Sequence, residues 1–264
     1  MKYFSPVLII LLLLAYSCTA PESNQTSPLK FQISFTKELS EKAQDGRLLL
    51  MLAKSANSEP RFQINDGLDT QLLFGIDVEG MQPGAEITIT SENAFGYPIQ
   101  SMRNIPAGEY FVQALINRYE TFTLKSGHTV KLPPDQGEGQ QWNRKPGNFY
   151  SKPTKISVDP TKEMSIGIVM DQKIAPIEEP KDTKYVKHIK IQSKLLTEFW
   201  GKPMFIGAHV LLPEGFDEHP EARYPLMIYH GHFPSDFGGF STEPPPAEMD
   251  TSDYIARFGI YGYN

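Results

Sequence analysis

Cysteine is nearly absent from the 264 residues; the single one, Cys18, stands near the N-terminus. The chain beyond it has no means of building a disulfide framework, so its fold must rest on an apolar core. A basic excess is missing too. Twenty-five Lys and Arg stand against 31 Asp and Glu, a formal net charge of -6, and this excludes the basic stripe that nucleic acid requires. Amphipathic helical patterns of useful length are lacking between residues 29 and 172. With 22 Pro and 20 Gly, turns and short strands are expected to dominate.

What is present begins with an export signal. Lys2 precedes "VLIILLLL" (7–14), an apolar core within the roughly 7–15 residues of a secretory h-region and short of the roughly 20 that span a bilayer. "LAYSC" (14–18) then places Cys18 directly after a small residue. This resembles a bacterial lipobox, which implies that Cys18 becomes the lipidated first residue of the mature protein. Tyr16 departs from that pattern, and an ordinary signal peptide with an incidental Cys18 is the alternative. The Pro- and Ser-containing "TAPESNQTSP" (19–28) suits a tether. The expected location is outside the cytoplasm, anchored to a membrane through lipid.

From residue 29 the pattern is that of strands. "FQISF" (31–35) alternates, and "RLLLMLA", "LLFGIDV", "AEITITS", "GEYFVQALINRY" and "MSIGIVM" follow, separated by turn signals such as Asn65-Asp66-Gly67. The spacing predicts a β-sandwich over 29–172. "IPAGEYFVQALIN" (105–117) resembles the late strand of an immunoglobulin-like module, where a Pro/Gly turn feeds a long edge-forming strand. A long loop, "PPDQGEGQQWNRKPGNFYS" (133–151), interrupts the strands, and loops of that length are often functional. Asp135, Glu138, Trp142 and Arg144 are candidates for a polar pocket within it; a connection pinned by one buried Trp is the simpler alternative. The charged, Pro-containing residues 173–184 form an expected linker.

Beyond the linker, "YVKHIKIQS" (185–193) and "PMFIGAHVLLP" (203–213) are expected to pair as an antiparallel hairpin around the turn region "KLLTEFWGK". "PLMIY" (225–229) is apolar throughout, the pattern of a strand buried on both faces. At its carboxyl end, where α/β sheets collect functional groups, stand His230, Gly231, His232 and Phe233.

The run "FWGKPMFIGAHVLLPEGFDEHPEARYPLMIYHGHF" resembles the opening of an α/β-hydrolase domain of the enterochelin-esterase-like kind. "IPAGEYFVQALINRYETF" and "DQGEGQQWNRKPGN" are similar to the β-sandwich that precedes that domain in bacterial lipoprotein-like members. The resemblance covers most of the mature chain and implies a mainly β chain: an immunoglobulin-like sandwich, then the first strands of an incomplete α/β-hydrolase domain over 185–264. It also implies a small ester-like substrate, no cofactor, and backbone N–H groups around His232 and Phe233 that hold an oxyanion. The imidazoles of His230 and His232 would shape the pocket.

No Gly-x-Ser-x-Gly elbow occurs in the chain, and Ser235 and Ser241 lie in Pro/Gly loop sequence rather than on an elbow. Residues 177–264 leave room for a hairpin, one strand and part of one crossover. The expectation is a chain that stops before its nucleophile and turns nothing over alone. Three alternatives stand beside it. His230, His232 and Asp236 suit a metal by residue type; the strand end is otherwise inert; or the sandwich is a non-catalytic surface module binding a glycan or protein. His209 and His219 are expected to be structural, and Asp217, Glu218 and Glu221 a solvated turn. "DYIARFG" (253–259) is expected to form a short helix.

Overall fold

The computed structural model describes residues 29–159, 161–213 and 215–230. These residues are mainly β, arranged in several sheets. Strand β1 (Leu29–Phe35) alternates buried and half-buried along its whole length, because one face meets a core and the other meets solvent. It pairs in parallel with β11 (Met164–Met170) and antiparallel with β4 (Ile87–Ile89), giving a three-stranded sheet.

A seven-stranded sheet supplies the other side of that core. Its order is β12 (Gln172–Lys173), β9 (Phe149–Tyr150), β6 (Gly108–Arg118), β2 (Gln44–Ala53), β3 (Leu72–Met81) and β5 (Phe95–Tyr97), with β10 (Thr154–Val158) also on β6. Phe31, Ile33 and Phe35 from β1 share one apolar cluster with Leu48, Leu50 and Leu52 from β2 and with Val112, Ala114 and Ile116 from β6. The sequence pattern suggests an edge strand at 105–117, but β6 is interior. It carries β2 along one side and both β9 and β10 along the other. Ser151 bridges the gap between those two short strands: its N–H donates to the Ala114 carbonyl at 2.9 Å, and its hydroxyl accepts from the Ala114 N–H at 3.0 Å. Where β2 shifts register against β3, a Cβ on Gly46 would lie 2.3 Å from the Asn117 carbonyl oxygen of β6 on its other side. Only glycine permits that approach.

Two smaller sheets complete the described residues. β7 (Glu120–Thr123) pairs with β8 (Thr129–Leu132), and β13 (Val186–Gln192) pairs with β14 (Phe205–Leu211). The second is the expected antiparallel hairpin. Its connection is more than a turn, since α1 (Lys194–Trp200) forms there. The Ser193 hydroxyl accepts from the Leu196 N–H at the start, and Gly201 ends the helix in the left-handed conformation. The helix docks on β7–β8. Trp200 meets Phe122 edge-on at 5.3 Å, the Lys125 N–H donates to the Phe199 carbonyl at 2.9 Å, and Lys202 pairs with Glu120.

Leu50 is fully buried between the two sheets. Leu50→Ala is expected to lower unfolding free energy by about 2–5 kcal/mol, from lost transfer energy plus the residual cavity. Urea denaturation followed by tryptophan fluorescence checks this, and a cost below about 1 kcal/mol would mean that the sheets are not packed through this residue.

Candidate functional site

Two places were singled out by sequence: the loop 133–151 and the end of the apolar run at 225–233. The loop lies over the outer face of the seven-stranded sheet. The register builds that face in rows. One row runs Tyr150, Leu115, Leu49, Gly75, Phe95 across five strands, and the next runs Gln113, Met51, Leu73, Tyr97. Leu49, Met51 and Leu115 are buried there, packed against by Trp142, Tyr150, Ile64 and Ile174. Trp142 therefore covers the sheet as a lid of apolar surface.

The other three loop residues do not gather round it. Asp135 accepts the Gly137 N–H at 2.7 Å and Glu138 accepts the Gln136 N–H at 2.7 Å, both shaping their own turn. Arg144 is exposed, with its guanidinium 5.1 Å from the Phe62 ring centre. Among the described residues, no hydrogen bond or ion pair joins any two of Asp135, Glu138, Trp142 and Arg144.

Two polar clusters, invisible as motifs, hold the loop instead. In the first, Arg61 is almost fully buried and pairs with both oxygens of Glu59, at 2.9 and 3.3 Å. It lies over the Tyr150 ring at 4.1 Å and donates to the Asn143 carbonyl at 3.0 Å. Gln113, wholly buried, accepts from the Arg61 N–H and donates to Glu59 and to the Ser151 carbonyl. In the second cluster, Asn148 is also wholly buried. Its amide oxygen accepts from the Arg118 N–H at 3.0 Å and from Lys145 Nζ at 3.5 Å. Its amide nitrogen donates to the Trp142 carbonyl at 2.9 Å. Lys145 Nζ donates to the Arg118 carbonyl at 3.0 Å. Burial pushes the Lys145 ammonium below the ordinary lysine range, opposed by the nearby Glu138 carboxylate; burial lowers Arg118 as well. Both clusters are internally satisfied, which suits loop positioning. Gln113 carried a signal in sequence, as a lone amide in the apolar run "FVQALI". Arg61, Lys145 and Asn148 carried none, because the contacts that bury them, to Asn143 and Arg118, reach 27 to 82 residues along the chain.

The outer face has an open end. Phe95 and Tyr97 rise from the edge strand β5 on one side of the sheet and stay 54% and 41% exposed, with the Arg47 guanidinium 5.2 Å from the Phe95 ring centre. This is a small aromatic platform, with the Arg47–Asp77 pair beside it.

The second place differs from expectation. Residues 225–229 belong to no strand, and Leu226, Met227, Ile228 and Tyr229 are all strongly exposed. Among the described residues no strand lies beside them and no helix covers them, so the two-sided burial that their composition suits is not met. His230 is exposed. Gly231, His232 and Phe233 lie outside the described residues, as does Cys18. Among the described residues no three His, Cys, Asp or Glu side chains gather to hold a metal, and no helix is long and apolar enough to cross a membrane. His209 faces His188 across β13–β14, rings edge to face at 4.6 Å, and His188 Nδ1 lies 3.1 Å from the Asp182 carboxylate.

No protein-family model matches the chain, and no curated protein or solved structure matches it either.

Asn148→Ala would leave the Arg118 N–H and the Trp142 carbonyl without their side-chain partner. The expected cost is on the order of 3 kcal/mol, at about 1–3 kcal/mol for each buried group left unpaired, with faster proteolysis inside 133–148; equal stability and equal proteolysis would show that the loop is held by other contacts. Lys145 generates a pH signature. Between its lowered folded value and its unfolded value, the folded chain binds fewer protons than the unfolded one, so stability rises with pH. Lys145→Met is expected to abolish that rise on approach to about pH 10.4, the ordinary lysine value, and an unchanged pH profile of unfolding would mean that the ammonium is solvated.

Proposed function

We propose that this chain is the N-terminal part of an exported, lipid-anchored serine esterase-like hydrolase. An immunoglobulin-like β-sandwich precedes the first strands of an α/β-hydrolase domain, with 185–264 as its incomplete sheet. His230, Gly231, His232 and Phe233 form the oxyanion loop, where backbone N–H groups would stabilise the negative oxygen of a tetrahedral intermediate on a small ester. Donors of that kind are typically worth about 100–1000-fold in turnover each.

One observation carries this reading. The hairpin β13–β14 is a sheet of its own, separate from the two core sheets, and after the polar connection that follows it comes the apolar run leading into His-Gly-His-Phe. A two-stranded sheet needs further strands or a covering layer, and the uncovered apolar segment that follows supports a sheet that continues. Trp142 and its loop would flank the site in the complete enzyme. The reaction itself requires a nucleophile on an elbow, which this sequence does not contain.

A second reading draws on a different feature. The aromatic platform of Phe95 and Tyr97 on the outer sheet face, with Arg47 beside it, suits a non-catalytic surface module that stacks a sugar ring or a partner side chain.

Three measurements test the first reading. The purified chain is expected to hydrolyse p-nitrophenyl acetate no faster than its Gly231→Val variant, and a higher rate would show a nucleophile within these residues. The native protein, recovered from its cells by an antibody against the β core, is expected to label with a fluorophosphonate; a native species that never labels supports the binding module. Cys18→Ser is expected to move the protein from the membrane fraction to the soluble fraction and to abolish labelling by a palmitate analogue. Unchanged labelling would return Cys18 to an incidental residue.

A further inference from the structure

The hairpin β13–β14 has two unlike faces. Cross-strand partners share a face, so the register places Lys187, Ile189 and Ile191 of β13 with Val210, Ala208 and Ile206 of β14. Beyond Lys187 that face is wholly apolar. Ile189, Ile191 and Ile206 are 42%, 59% and 53% exposed, and Ala208 is exposed too. Nothing among the described residues covers it. The opposite face holds the His188–His209 pair and the buried Val186. A two-stranded sheet is marginal in water without something against its apolar side, and this one is formed with that side bare.

Charge and sequence single out an occupant. The hairpin with its helix, residues 186–211, carries Lys187, Lys190, Lys194 and Lys202 against one acid, Glu198. Lys190 and Lys202 pair with Glu179 and Glu120, which leaves Lys187 and Lys194 without an ion pair among the described residues. Residues 231–264 carry Asp236, Glu243, Glu248, Asp250 and Asp253 against one base, Arg257. The two stretches are therefore complementary in sign. Within the second, Tyr254, Ile255, Phe258 and Tyr261 fall at helical spacing on one side, an apolar stripe of the kind that packs on a sheet face. Tethering on one chain supplies a high effective concentration that no separate partner has. We propose that the Ile189–Ile191–Ala208–Ile206 face is the docking surface for this chain's own segment 253–263, its acidic approach steered by the hairpin lysines. The proposal stands on the hairpin's geometry, and its test is blind to ester hydrolysis.

Hydrogen exchange on the full chain, read by mass spectrometry, tests this. Amides of 253–263 are expected to exchange at least about tenfold more slowly than an unstructured peptide of the same sequence. Ile206→Asp should release them while the β2 and β6 amides stay protected. Phe258→Asp should release the same segment from the other side, which keeps the test open if Ile206→Asp melts the hairpin. Leu68→Asp, at a fully exposed turn residue before β3, should change nothing. Open-chain exchange of 253–263 in the wild type overturns the proposal, as does protection that survives both variants. Protection that grows with protein concentration would assign the face to a second copy, and protection found only with anionic phosphatidylglycerol vesicles would assign it to a lipid surface; either overturns it.

Discussion

Strand β2 is buried on both of its faces, and most of the molecule is arranged round that fact. Leu48, Leu50 and Leu52 point into the core shared with the three-stranded sheet, while Leu49 and Met51 point the other way. A sheet apolar on two sides needs two covers. The three-stranded sheet provides one. The loop 133–148, through Trp142, provides the other, together with Tyr150 and Ile174.

Covering a sheet with a loop brings polar backbone under apolar surface, where each unpaired group is costly. That constraint explains the two buried clusters. Arg61, Glu59 and Gln113 anchor one part of the loop, and Asn148 with Lys145 anchors its far end. Lys145 is kept at a cost in solvation because its Nζ serves the Arg118 carbonyl at the end of β6. The same strand end leads into β7–β8, on which α1 docks. Core, loop and hairpin are thus mechanically joined, although residues 174–185 contain no regular element between them.

Much of the β core was legible. Alternation in "FQISF" gave the one-sided strand β1, and "RLLLMLA" was legible as the strand β2, although two-sided burial was expected of 225–229 instead. The interior place of β6 was not legible, because an edge strand and a central one differ only in who pairs with them. The short strands β5, β9, β10 and β12 span two to five residues each and leave no periodicity to find. The helix α1 had a readable Ser193 cap and Gly201 stop, yet seven residues are too few for a helical stripe to declare itself. Of the candidate site, Trp142 stood out by rarity, whereas Lys145 and Asn148 in the same loop are tied to Arg118, and Arg61 to Asn143, contacts that span 27 to 82 residues.

The sequence by itself determined the β character, the apolar run 7–14 ahead of the lone Cys18, and the run into His-Gly-His-Phe. These are local patterns, set by side-chain period and composition. Tertiary structure alone decided that the long loop roofs an apolar sheet rather than forming a pocket from Asp135, Glu138 and Arg144. It alone decided that Ile189, Ile191 and Ile206 share one bare face, and that residues 225–229 stand outside every sheet among the described residues. Burial belongs to a pair of surfaces, and one segment's sequence specifies only its own.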